Sequence, residues 1–203
     1  HGGVDQGAYQ PGALPDELRA RGQALICCAT PLEDIAIEVA GMTSAARAHV
    51  GRIATLERLN ADVMRLTIEL PADERIDYAA GQYINILLPD GQRRAYSFAS
   101  APGAGGPIEL HVRLVPGGLF TTHVFEKMKV GDEIRFEGPL GDFRLREGER
   151  PILFVAGATG FAPVKSIVED AFARGLHRPM WLYWGVRRRD DLYMAELAEQ
   201  WQR

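Results

Sequence analysis

Four consecutive residues, Arg94-Ala95-Tyr96-Ser97, put a fixed positive charge, a flat aromatic ring and a hydroxyl within one short segment. On a strand, residues two apart share a face, so Arg94 and Tyr96 lie together, roughly 6 to 7 Å apart. A guanidinium forks onto a phosphate with paired hydrogen bonds. A Tyr ring stacks on a flat heterocycle, and a Ser hydroxyl can reach a ring nitrogen. Phosphate plus flat ring outlines a flavin nucleotide. Strict alternation turns Ser97 away, so the strand is expected to bend or end there. The same four residues also fit a plain edge strand with an exposed Arg and a half-buried Tyr.

Two glycine loops offer further anion chemistry. Pro116-Gly117-Gly118-Leu119-Phe120-Thr121 precedes a helix expected through Val124, Phe125 and Met128. Glycines let backbone N–H groups approach a ligand, and a helix N-terminus adds free donors and partial positive charge. Thr121 is expected to cap this helix or donate to a phosphate. A hairpin loop with a capped helix is the simpler alternative. Val155-Ala156-Gly157-Ala158-Thr159-Gly160-Phe161-Ala162-Pro163 joins a strand to a helix, the setting in which such a loop cradles a pyrophosphate. It is not G-x-G-x-x-G, and a tight β-to-α turn would also need its glycines. Arg187-Arg188-Arg189 follows the next strand, where Arg can serve a ribose 2′-phosphate, but Asp190 and Asp191 come directly after it. NADH and NADPH therefore stay equally open. The five histidines have no ligand spacing and are assigned no metal.

The elements that must position these groups follow from periodicity. Met64, Leu66, Ile68 and Leu70 alternate with polar residues, as do Ile108, Leu110, Val112 and Leu114, whose neighbours Glu109, His111 and Arg113 face outward. Further strands are expected at 83–89, 94–100 and 132–137, with a turn at Pro89-Asp90-Gly91. About six short strands imply a closed antiparallel barrel over roughly residues 48 to 147. Ile152 to Ala156 is a continuous apolar run, expected to be covered on both faces. Val164, Ile167, Val168, Ala171 and Phe172 fall on one helical face, with Pro163 in its first turn and Gly175 at its end. Met180 to Trp184 is expected to be a second buried strand. Asp190 or Asp191 is expected to cap a helix through Met194, Leu197 and Trp201. This β-α-β-α order begins a parallel sheet. Before the barrel, 24–28 and 35–39 read as strands and 15–20 as a helical turn, too little to bury a core alone. The expectation is a chain cut at both ends.

Composition narrows the class. The chain has 203 residues, 46% hydrophobic and 25% charged, with net charge −4, which fits a globular protein and no nucleic-acid surface. No apolar run approaches the roughly 18 residues of a membrane span. The two cysteines, Cys27 and Cys28, are adjacent, too close for an ordinary disulfide, which fits a reducing cytoplasm.

Five segments now stand in order: Arg94-x-Tyr96-Ser97, Gly117-Gly118-x-x-Thr121, Gly138-Pro139-Leu140-Gly141-Asp142-Phe143, Gly157-Ala158-Thr159-Gly160-x-Ala162-Pro163 and Tyr183-Trp184-Gly185. Together they resemble the ferredoxin–NADP reductase superfamily. The nearest likeness is to oxygenase-type reductases with an N-terminal plant-type ferredoxin domain, such as phenol hydroxylase reductase components and CDP-6-deoxy-glucoseen reductases. The resemblance implies a mixed fold with three parts. Residues 1–46 would be the C-terminal remnant of a β-grasp [2Fe–2S] ferredoxin domain. Residues 47–148 would be a six-stranded FAD-binding β-barrel, and 149–203 the start of an α/β NAD(P)-binding domain. It implies that Arg94 holds the FAD pyrophosphate, Tyr96 stacks on the isoalloxazine and Ser97 bonds near flavin N5. His111, Val112 and Arg113 would line the flavin site, with Gly117, Gly118 and Thr121 on the pyrophosphate. Gly157, Thr159 and Gly160 would receive NAD(P)H. Cys27 would be the fourth [2Fe–2S] ligand.

Two departures bear on activity. The C-x4-C-x2-C loop supplying three cluster ligands is missing upstream, and the family's C-terminal cysteine segment is missing downstream. The chain as written is expected to bind FAD, to lack the cluster and to accept hydride poorly. Ala158 stands where the family often has Gly. The implied activity is electron transfer from NAD(P)H through FAD to a [2Fe–2S] centre and on to an oxygenase or dehydrase partner. The alternatives are a flavin-binding subunit without NAD(P)H activity and a reductase of free flavins.

Overall fold

The computed structural model describes residues 3–9, 11–25, 28–35, 46–103 and 106–202. It divides into two compact units, His1–Gly41 and Met42–Arg203. In the first, β1 (Val4–Asp5) pairs antiparallel with β2 (Thr30–Pro31), and α1 spans Asp16–Ala20. The helical turn expected at 15–20 is α1. Ala24, Leu25 and Cys28 are irregular or in a turn, so the strand expected at 24–28 does not form among the described residues. Ile35 is irregular as well, and 36–39 lie outside the described residues, as does Cys27.

In the second unit, six strands form one antiparallel sheet: β3 (Arg47–Arg58), β4 (Val63–Glu69), β5 (Tyr83–Leu87), β6 (Arg93–Ser97), β7 (Ile108–Arg113) and β8 (Glu133–Leu140). Their order is β6-β5-β8-β3-β4-β7. The outer strands are drawn together where Phe98 bridges Leu110 and the Ala99 N–H donates to the Glu109 carbonyl at 2.8 Å, so the sheet curls into a barrel. Its interior is what alternation demanded: Met64, Leu66 and Ile68 from β4, Ile108, Leu110 and Val112 from β7, with Ile53, Ile84, Ile86 and Phe136. Phe120 and Val124 of α2 (Leu119–Glu126) join that core.

Beyond the barrel, β9 (Ile152–Gly157) and β10 (Met180–Gly185) pair in parallel, joined by α3 (Phe161–Ala173). Val164, Ile167, Val168 and Ala171 of α3 are buried, while Phe172 is about half exposed and touches Trp201 edge-on. One expectation is overturned here. The apolar run of β9 is covered on one face only: Ile152, Phe154 and Ala156 are buried, whereas Leu153 and Val155 are 63% and 76% exposed. The run of β10 behaves alike, with Met180, Leu182 and Trp184 packed against that core and Trp181 and Tyr183 exposed. The second helix also starts later than expected. Asp191 accepts the Arg188 N–H and caps a 3-10 turn at Arg189–Asp191, and α4 begins at Ala195. Among the described residues no helix is long and apolar enough to cross a membrane.

Candidate functional site

Strand β6 ends at Ser97, one of the two outcomes expected there, and so stops short of the 94–100 span expected for it. Arg93 and Arg94 are adjacent but differently placed. Arg93 pairs with Glu137 at 2.8 Å, whereas Arg94 has no acidic partner among the described residues. The Arg94 guanidinium donates instead to the Arg93 carbonyl at 2.9 Å and to the Gln92 side chain at 2.5 Å. Both acceptors are neutral, so its charge is left for an anion. Tyr96 leans on the barrel core, its ring 5.4 Å from Phe120 and tilted by 50°. Burial pushes its phenol up to about 12, against the pull of Arg94, so the ring stays neutral at any physiological pH. Ser97 is half-buried beside it.

Through Phe120, Tyr96 meets the start of α2. Gly117 sits at φ +74°, a left-handed turn that glycine adopts freely, and Gly118 is the N-cap residue. A Cβ on Gly118 would lie 2.6 Å from the Thr121 hydroxyl and 3.0 Å from the Val115 carbonyl, so this turn is too tight for a side chain. Thr121 does not cap the helix. Its buried hydroxyl accepts the Val115 N–H at 3.1 Å and faces the Val115 and Gly118 carbonyls at 3.3 Å, which staples the loop to the helix. No side chain caps the first turn of α2, which leaves backbone N–H groups pointing outward.

On β7, the three residues part company. Val112 points into the core, and Arg113 pairs with Asp62 at 2.9 Å. His111 was expected on a polar outer face, but it is buried, because Tyr193 covers it. Its Nε2–H donates to Glu109 at 2.8 Å, and the Tyr193 hydroxyl donates to its Nδ1 at 3.0 Å. Burial holds the imidazole below its ordinary value although Glu109 pulls the other way. Burial alone would raise the Glu109 carboxyl, but the His111 hydrogen bond and the Lys165 charge together hold it low.

The second glycine loop lies beside β7. Gly157 ends β9, residues 158–160 make a 3-10 turn, and α3 begins at Phe161 with no side-chain cap. Gly157 and Gly160 are exposed, and a Cβ on either would meet nothing within 4 Å. Thr159 is half-buried. Ala158 is held at φ +47°. The Trp184 indole donates to the Ala158 carbonyl at 2.9 Å and stacks on Phe161 at 3.9 Å. Sequence reasoning singled out the segment around Trp184 but missed Tyr193, Lys165 and Ser166. The one signal for Lys165 was a cation set among the apolar positions of α3, with Glu169 four residues on.

Residues 51–145 match the family model described as oxidoreductase FAD-binding domain, and 154–203 match oxidoreductase NAD-binding domain. The chain is 38% identical over 192 residues to the CDP-6-deoxy-L-threo-D-glycero-4-hexulose-3-dehydrase reductase of Yersinia pestis, covering 93% of this chain and 58% of that protein. It is 36% identical over 208 residues to the reductase component of phenol 2-monooxygenase from Pseudomonas sp. strain CF600, covering 98% and 58%. The crystal structure of the Amycolatopsis cytochrome P450 reductase GcoB superposes with a TM-score of 0.72 at 35% identity, covering 100% of this chain and 64% of that one. The chain thus spans about 58% of the length of these curated relatives.

Proposed function

The chain belongs to the ferredoxin reductase family of FAD- and NAD-binding oxidoreductases, and from that premise we propose that it carries electrons from NAD(P)H through FAD to a [2Fe–2S] centre and on to an oxygenase or dehydrase component. The reading divides it into residues 1–46, the end of a ferredoxin-type domain, 47–148, the FAD barrel, and 149–203, the nicotinamide-nucleotide lobe. The observation that carries it is the meeting of β6 and α2 at Tyr96 and Phe120, 5.4 Å apart. On this reading an unpaired guanidinium, a flat neutral ring and an uncapped helix start would serve one ligand.

The residues fit FAD. Arg94 would grip its pyrophosphate, joined by the N–H groups of the first turn of α2 past Gly118, since the Gly118 N–H itself is taken by the Val115 carbonyl. Tyr96 would stack on the ring system, with Ser97 beside it. Thr121 would act by holding the loop, since its hydroxyl is engaged with Val115. His111, Val112 and Arg113 would support the site as a strand: Arg113 is tied to Asp62 and Val112 faces the core. The uncapped start of α3, with Gly157, Thr159 and Gly160, would take the nicotinamide nucleotide. When bound, FAD lets a two-electron hydride donor serve a one-electron acceptor, while the protein aligns the rings. The cluster does not fit this chain alone. Its two cysteines cannot supply four thiolates, so Cys27 would be one ligand among others contributed from outside this sequence. Adjacent cysteines fit a reducing cytoplasm.

The test is to add FAD to the purified protein and record its visible spectrum, then add NADH or NADPH without oxygen. A bound, yellow flavin that either nucleotide bleaches only slowly is the expected result for this chain. A folded protein that stays colourless with FAD sinks the reading.

A further inference from the structure

Two consecutive residues of α3 meet two consecutive carbonyls that follow the flavin strand. The Lys165 ammonium donates to the Ala99 carbonyl at 3.0 Å, and the Ser166 hydroxyl donates to the Ser100 carbonyl at 2.6 Å. Both side chains are deeply buried, at 6% and 0% exposure. Lys165 also lies between two carboxylates, Glu109 of β7 at 3.3 Å and Glu169 of its own helix at 3.0 Å. The Ser100 hydroxyl in turn accepts the Glu109 N–H at 3.1 Å and lies 2.9 Å from the Tyr78 hydroxyl. A second tie runs alongside: Glu109 to His111 to Tyr193, whose ring meets Trp184 edge-on at 5.1 Å.

A buried ammonium is a poor device for stability, because desolvation offsets most of its attraction to carboxylates, and an apolar residue of similar volume often does as well. Its advantage is geometric. Three acceptors around one ammonium are satisfied in one docking pose and lost in a displaced one. The positions of the two ends matter. Ala99 lies two residues past Ser97, and Lys165 lies five past Gly160. The latch therefore joins the two proposed cofactor grips by short, rigid lengths of chain.

We propose that Lys165 and Ser166 are positioning residues, whose docking on the Ala99 and Ser100 carbonyls sets the separation and angle between the flavin strand and the nucleotide loop. This rests on the flavin and nicotinamide reading given above. Hydride transfer is sensitive to misplacement on the scale of an ångström, whereas each ligand alone touches only its own grip. Weakening the latch should therefore slow transfer and leave both affinities in place.

The experiment compares the full-length protein with its Lys165→Met, Lys165→Arg and Ser166→Ala variants. Three quantities are read: dissociation constants for FAD and NAD(P)H, the anaerobic rate of flavin bleaching with its long-wavelength charge-transfer band, and amide hydrogen exchange over residues 161–168 without ligands. For Lys165→Met the expected result is affinities within about threefold, bleaching slowed roughly tenfold or more, a weakened charge-transfer band and faster exchange. Lys165→Arg should restore much of the rate, and Ser166→Ala, the milder change, covers the case in which Lys165→Met does not fold. Unchanged bleaching in folded Lys165→Met, or in Ser166→Ala where Lys165→Met does not fold, overturns the proposal, as does a loss of affinity in step with rate. If the unsubstituted protein takes up no flavin, the functional reading fails instead. The exchange measurement then decides the latch alone: faster exchange supports it and unchanged exchange overturns it.

Discussion

The indole Nε1 of Trp184, at the end of β10, donates to the carbonyl of Ala158 across 2.9 Å, so one strand fixes the loop that follows its neighbour. Phe161 stacks flat on the same indole, 3.9 Å away and 7° from parallel, and locks the ring. Trp184→Phe keeps the stack and removes the donor. Ala158 is only half-buried, so water can replace the bond, and the stability loss should be small, about 1 kcal/mol. The larger effect is expected on the loop's ligand. Affinity for NAD(P)H should fall several-fold while FAD affinity holds, as separate fluorescence titrations would read. Equal losses for both ligands would count against this division of labour.

Ala158 itself is strained. At φ +47° its Cβ crowds the following carbonyl, a conformation that costs a residue other than glycine about 1–2 kcal/mol. Ala158→Gly relieves this but gives the unfolded chain more freedom, at about 0.5–1 kcal/mol. The net expectation is a gain of roughly 0.5–1 kcal/mol, seen as a higher urea midpoint with an unchanged slope. A lower midpoint would mean that the alanine methyl makes contacts worth more than the strain.

How far the sequence could be read depended on whether chemistry and burial coincided. β4 and β7 were legible because aliphatic residues mark every inward position. β3 was not, because its inward positions include His49 and Gly51, which carry no apolar signal although both are buried. The run Ile152 to Ala156 misled for the opposite reason: it is apolar on both faces, but α3 covers only one. The proposed flavin grip could be traced in the sequence because Arg94 and Tyr96 share a strand. The latch could not, because Lys165 and Ala99 are 66 residues apart, and His111 and Tyr193 are 82 apart. Only the docking of the lobe on the barrel brings them together.

The cluster on β7 should make stability depend on pH. His111 faces Glu109 on its own strand, Arg65 on β4, Lys165 on α3 and the Tyr193 hydroxyl. Folding lowers its proton affinity below the ordinary 6.5, chiefly by burial. Above pH 6.5 neither state binds the proton, and the folded state keeps the full contribution of the neutral ring. As pH falls below that value the unfolded state takes the proton first, so stability declines until the folded-state value is passed. Glu109, held below its ordinary 4.5, adds a second decline of the same sign at lower pH. Melting temperature against pH should thus fall in two steps on acidification. His111→Phe should lower stability at neutral pH and flatten the upper step. An upper step of unchanged size in that variant would assign it to another group.

Arg93 and Arg94 are neighbours of one type, and they separate charge from phosphate grip. Arg93 is neutralised by Glu137 at 2.8 Å, and Arg94 meets only neutral acceptors. If the Arg94 charge serves a pyrophosphate, Arg94→Ala removes charge-assisted hydrogen bonds that nothing nearby replaces. Flavin affinity should then weaken roughly ten- to hundredfold. Arg93→Ala removes an equal charge from the same strand but breaks only its ion pair with half-buried Glu137, which Asn85 still holds, so affinity should change less than about threefold. Raising ionic strength should weaken FAD binding to the unsubstituted protein and change it less in the Arg94→Ala variant, because the screened charge is already gone. Flavin fluorescence titrations at two salt concentrations read all of these. Equal losses from the two substitutions would mean a diffuse positive field on β6, and the specific role of Arg94 would be lost.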